Sequence, residues 1–177
     1  MRSTFRFALL FSWAAAIAST ATIAVLADRP PDAANQINVT FSETPAVITD
    51  HVADLGIRQL ILTSSWTLDG FGPVTDVTSV TQDTAVHPCG PGSSSESATR
   101  RIVASAGMLV LREGGIQCIT ASGPVFNGTY VVDGDASTGI FAGADGSGTV
   151  TVHVAIPPRP GTTTLSGRLK LAESRHA

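Results

Sequence analysis

The chain has 177 residues, of which 43% are hydrophobic and 14% charged, and a formal net charge of −3. That length suits one ordinary domain. A mildly acidic surface with the single lysine Lys170 excludes nucleic acid and anionic membrane surfaces as natural partners.

Arg2 and Arg6 precede an almost wholly apolar run over residues 7–18, and Val25-Leu26-Ala27 places small residues at −3 and −1 of a cleavage position. This is the order of parts in a secretory signal peptide. The reading is a signal peptide over 1–27 and a flexible mature N-terminus over 28–36, with one β domain over 37–172. An uncleaved anchor is the alternative, because residues 7–27 are about as long as the ~20 residues that span a bilayer. Ser12, Ser19, Thr20 and Thr22 dilute that stretch, and Asp28-Arg29-Pro30-Pro31 follows it as a mature start. Cleavage would leave nine basic residues against 14 acidic ones, and no stable membrane insertion. The expected location is therefore extracellular.

Past residue 36 the chain is rich in Val, Ile and Thr and punctuated by Gly, Pro, Asp and Asn. β-branched residues suit a pleated, half-buried surface, and the punctuating residues close turns. Ile37, Val39 and Phe41 alternate with Asn38 and Thr40, the period of a half-buried strand. The one helical candidate, 46–55, is opposed by Pro45, four β-branched residues and Gly56. Leu60, Leu62, Trp66 and Leu68 form one face of a longer strand, while 74–82 alternates less cleanly and suggests a bulge.

Residues 85–97, with Pro88, Gly90, Pro91, Gly92 and three consecutive serines, read as a surface loop tied down at Cys89. A loop of this length in a compact domain is a candidate for partner binding. Strands are expected over 99–105, 108–112 and 116–122, separated by Ala106-Gly107 and by Glu113-Gly114-Gly115. Further strands are expected over 126–133, 148–156 and 162–171. The last two are joined through Pro157-Pro158-Arg159-Pro160-Gly161. About eight short strands with turn signals mean an all-β barrel or, as the alternative, a β-sandwich.

Cys89 and Cys118 are the only cysteines, and in an oxidising compartment an even pair reads as a disulfide. Neither a Cys-x-x-Cys pair nor enough ligands around His87-Pro88-Cys89 supports a zinc site. The calcium-like start Asp133-Gly134-Asp135 lacks the glycine and the glutamate of an EF-hand, having Thr138 and Ala144 at those positions. Asp133, Asp135 and Asp145 then read as solvated turn acids. The sequence contains no Gly-x-Ser-x-Gly elbow, no His-Glu-x-x-His and no phosphate-binding loop. No catalytic residue, metal or cofactor is expected.

The stretch Gly128-Thr129-Tyr130-Val131-Val132-Asp133-Gly134 leads into Thr138-Gly139-Ile140-Phe141-Ala142-Gly143-Ala144-Asp145-Gly146-Ser147-Gly148-Thr149. It resembles the glycine-rich segment of the allene oxide cyclase barrel-like proteins, a group related to dirigent proteins. Residues 162–169 are similar to that group's closing strand. The chain departs from the pattern at Ile140, where arginine is common, and at Asp145, where threonine is frequent. The resemblance covers roughly residues 126–171 and implies an eight-stranded antiparallel barrel with an apolar interior, as in small secreted bacterial members. Cyclase activity does not carry over with it, because no residue here matches a catalytic one. Physically, Gly139, Gly143, Gly146 and Gly148 are expected to permit positive φ, with Phe141 plugging the barrel end or packed under the turn.

His153 shares a face with Thr149 and Thr151, opposite Val150, Val152 and Val154. If the valines pack the core, His153 is a surface residue. If the polar face points inward, His153 with Tyr130 or Glu113 becomes a candidate for acid–base chemistry or ligand orientation. His51 and His87 read as loop residues. Trp66, Tyr130 and His153 are thus the candidate ligand-binding residues of a lumen, and the expected ligand is one small apolar molecule. The leading expectation is a non-enzymatic binder or structural surface protein. A cyclase-like or dirigent-like enzyme that shapes a reactive substrate by confinement is the alternative.

Overall fold

The computed structural model describes residues 35–52, 56–154 and 161–172, with side chains of the first segment described over 37–43. The signal-like segment, the 157–160 proline run and His176 lie outside the described residues. Eight strands follow in order: β1 (Asn35–Val52), β2 (Ile57–Leu68), β3 (Gly72–Asp83), β4 (Ser94–Ala104), β5 (Gly107–Thr120), β6 (Gly123–Val132), β7 (Asp145–His153) and β8 (Gly161–Lys170). Each pairs antiparallel with the next, and β1 pairs with β8 to close a barrel. Closure satisfies both edges of the sheet, which an open eight-stranded sheet leaves exposed.

β1 makes closure possible by serving two neighbours. Its first half, from Asn35 to Glu43, pairs with β8, and the part from Thr44 onward pairs with β2. The register slips between Thr44 and Val47 and again between Ile48 and Asp50. The first slip contains Pro45, which has no N–H for a ladder bond. The backbone up to Val52 is strand, so the helical candidate at 46–55 is overturned as far as the described residues go, and His51 is a strand residue rather than a loop one.

The bulge expected in 74–82 is absent. β3 pairs residue for residue with both β2 and β4. Its alternation looked imperfect because Asp76, Thr78 and Gln82 take inward positions together with Val74 and Val80. The turn expected at Glu113-Gly114-Gly115 is also absent, and β5 runs unbroken through it. There the glycines serve close strand contact: a Cβ on Gly115 would collide with the backbone of Asn127 and Gly128. The 85–97 loop shrinks to 84–93, because Ser94, Ser95, Glu96 and Ser97 already pair with β5.

Of the four glycines expected to need positive φ, Gly139 (+62°) and Gly143 (+70°) do. Gly146 and Gly148 are instead strand residues of β7. A side chain on either would strike β8, and one on Gly148 would also come within 2.6 Å of the Tyr130 hydroxyl. Between β6 and β7 the chain makes one 3-10 turn, Gly139–Phe141. Phe141 is fully buried there, its ring 5.0 Å from that of Phe71 on the β2–β3 turn. These two rings close one end of the barrel, joined by Ile37, Leu68, Ile102, Leu109, Leu111 and Leu169. That end is a packed apolar core.

Cys89 and Cys118 form a disulfide, with Cα atoms 5.7 Å apart, that ties the 84–93 loop to β5. Within the loop, the Ser93 hydroxyl donates to the Gly90 carbonyl at 2.5 Å and accepts from the Cys89 N–H. A cross-link spanning 29 residues restricts the unfolded chain, so replacing both cysteines by alanine should lower stability by about 2–4 kcal/mol. Urea unfolding of the two forms measures this, and equal midpoints would show that the bond contributes nothing.

Candidate functional site

The inward-facing positions do not stay apolar along the barrel. At mid-height Glu43 of β1, Ser64 of β2, Asp76 and Thr78 of β3, Arg100 of β4, Glu113 of β5 and Thr163 of β8 all point inside and are buried. Each is in phase with apolar neighbours on its strand, so the pleat that buries Phe41, Val74, Ile102 and Leu111 buries these as well.

Arg100 is the centre of this polar belt. Its Nε donates to Glu113 Oε1 at 2.5 Å, and its Nη1 donates to Glu43 Oε1 at 3.0 Å and also to Asp76 Oδ2. Thr78 and Ser64 donate to the Asp76 carboxylate at 3.1 and 3.4 Å. The guanidinium carbon lies 5.6 Å from the Phe41 ring centroid, a cation–π contact. Phe41 in turn stacks on Trp66 at 4.7 Å.

Burial opposes the charge on Arg100, but the three carboxylates, Glu113 foremost, hold it firmly protonated. For Asp76 the balance goes the other way. Burial raises its pKa above the usual carboxylate range, and the attraction of Arg100 only partly offsets this.

Arg100 also forms the floor of a cavity of about 310 Å³ at the end of the barrel opposite Phe141. Leu60, Val80, Ala98, Phe126 and Val152 make its apolar wall, and Glu43, Glu113, Gln82, Glu96 and Gln117 supply polar groups. Gln82 donates to Glu96 at 2.6 Å. The barrel interior is therefore divided into a packed half and an open half, and the size of the open half suits one small molecule.

The three lumen candidates named from the sequence are not brought together. Tyr130 is 1% exposed and faces the interior opposite Glu113. It belongs to the packed core and not to the cavity wall, its hydroxyl lying against Gly148 and Gly167. Burial and the nearby Glu113 charge push its pKa up to about 12, so it stays a neutral phenol. Trp66 is also inside, stacked on Phe41 and away from the cavity. His153 is exposed at the cavity mouth. Val150 and Val152 pack inward while Val154 is exposed, so the valine face is the core face up to the rim. Glu113 was named only as a partner for His153. Arg100, Glu43 and Asp76 are the residues that reading missed.

Asp133 is engaged by Arg112, whose Nε donates to it at 2.8 Å, and by the Ala136 N–H. These bonds hold its carboxyl below the usual range. Among the described residues no group of three or more His, Cys, Asp or Glu is placed to hold a metal ion. No family model, curated protein or solved structure matches this chain.

Replacing Arg100 by methionine would leave three buried carboxylates without their counter-charge, and should cost about 3–5 kcal/mol at neutral pH. Urea unfolding measures it, and a loss below about 1 kcal/mol, the size of an exposed ion pair, would show the cluster to be energetically idle.

Glu96 offers a pH test. Burial raises its pKa above the ordinary 4.5, with hydrogen bonds from Gln82 and Ser94 opposing. A raised carboxyl pKa means that the folded state binds the proton more tightly than the unfolded state. Its stabilising contribution is thus complete below about 4.5 and lost as pH rises through the folded value. The melting temperature of the natural protein minus that of E96Q should increase on going from neutral pH toward that value. A difference that is flat or falls on acidification contradicts this assignment.

Proposed function

We propose that this chain is an exported β-barrel protein, akin to the small secreted allene oxide cyclase barrel-like proteins, that binds one small, largely apolar molecule. The observation that carries this reading is the cavity: about 310 Å³, walled by Leu60, Val80, Phe126 and Val152 and floored by polar groups. An apolar wall with a few convergent polar groups is the usual make-up of a small-molecule site, and this one is at the small end of the range. Export is supported by the Arg-flanked apolar N-terminal segment and by the disulfide, which persists in oxidising compartments.

Binding rather than catalysis is favoured because Tyr130 and His153, one pair named for acid–base work, are apart. Tyr130 is buried in the packed half, while His153 is at the rim. The Arg100 cluster is engaged in its own ion pairs.

Indole, a neutral and mostly apolar probe, should bind saturably to the full chain. Nuclear magnetic resonance shifts should concentrate on Leu60, Val80, Ala98 and Val152. In A98F the added ring fills the cavity, and those shifts should vanish while the protein stays folded. Absence of indole binding, or binding that survives A98F unchanged, would overturn the cavity as a ligand site.

A further inference from the structure

Resting on the ligand-binding reading above, we propose that the cavity selects small amines: an ammonium group at Glu43 and Glu113, and a hydrocarbon body against Leu60, Val80, Phe126 and Val152.

The charge balance of the floor carries this. One guanidinium faces three carboxylates, Glu43, Asp76 and Glu113. Asp76 is sealed beneath and does not line the cavity, its side chain 1% exposed, whereas the Glu43 and Glu113 side chains, 4% and 2% exposed, do line it. Each gives Oε1 to Arg100, and among the described residues the second oxygen of each accepts no hydrogen bond. The floor thus presents free acceptors under excess negative charge. Apolar walls around such a floor strengthen its field by excluding water.

An anionic ligand meets the opposite situation. Arg58 also lines the cavity and acts on Glu96, but at the floor an anion would approach two carboxylates before reaching Arg100, whose Nε and Nη1 are already engaged. The remaining nitrogen, Nη2, has no partner but is shut off from the cavity. Arg100 therefore holds the carboxylates in place and is not itself free to recognise an anion. A neutral alcohol fits the wall equally well but brings no charge to balance the floor.

Three probes of matched length separate these cases: hexylamine, hexanol and hexanoate, titrated calorimetrically into the full chain near neutral pH. Hexylamine should bind about tenfold more tightly than hexanol, the worth of one hydrogen bond to a charged group, and hexanoate should bind most weakly. E113Q should narrow the ratio between amine and alcohol, and E43Q serves the same purpose if E113Q does not fold. Hexanol equal to hexylamine, or hexanoate the tightest, would overturn the amine preference while saturable, A98F-sensitive indole binding leaves the cavity reading intact. Failure of indole and of all three probes would overturn both.

Discussion

The ion cluster at mid-barrel is the interaction on which the two halves of the molecule depend. Arg100 and its three carboxylates sit where neither water nor bulk apolar packing supports a charge, so their mutual pairing has to. Arg100 reaches Glu43 on β1, Asp76 on β3 and Glu113 on β5. It therefore links strands that are far apart in sequence across the interior. Below it, Phe41 takes the guanidinium on its ring, and the core packs down to Phe71 and Phe141. Above it, among the described residues no large side chain fills the lumen, and the cavity begins.

This arrangement explains why the barrel is neither solid nor hollow. A small eight-stranded barrel has just enough interior for its own side chains or for one ligand. Here the aromatic residues Phe41, Trp66, Tyr130 and Phe141 all belong to the packed half. The upper half is lined by Leu60, Val80 and Ala98, with Phe126 its aromatic contribution. A polar layer that must keep its own hydrogen-bond geometry cannot collapse into that space. The same layer leaves the cavity with a negatively charged floor.

The glycines of β5 to β8 show how much a local signal depends on its surroundings. Glu113-Gly114-Gly115 and Gly146-Ser147-Gly148 have the composition of turns, yet both are strand. At Gly115, Gly146 and Gly148 the missing Cβ lets a neighbouring strand or the Tyr130 hydroxyl approach. Positive φ is used instead at Gly139 and Gly143, and at Gly107 and Gly123 where β5 and β6 begin. Sequence alone cannot separate a glycine that turns from one that makes room, because the distinction depends on what lies across the sheet.

By itself the sequence determined the all-β class, a count of about eight strands and the pairing of Cys89 with Cys118, because period-two alternation, β-branched composition and an even cysteine count are local properties. It also held an unread sign of the site. Glu43 is in phase with Phe41, Asp76 with Val74, Arg100 with Ile102, and Glu113 with Leu111, so each charge was already assigned to an inner face. Breaking β5 at its glycines hid Glu113, and ending the first strand at Phe41 hid Glu43. Only the tertiary structure decided that these charges meet, since closing the barrel from β1 to β8 puts residues up to 70 positions apart on one level of its interior. It decided too that Tyr130 and Trp66 pack the core while His153 is left at the rim. The reason is physical: alternation tells which face a side chain takes, but height within a barrel is set by strand register.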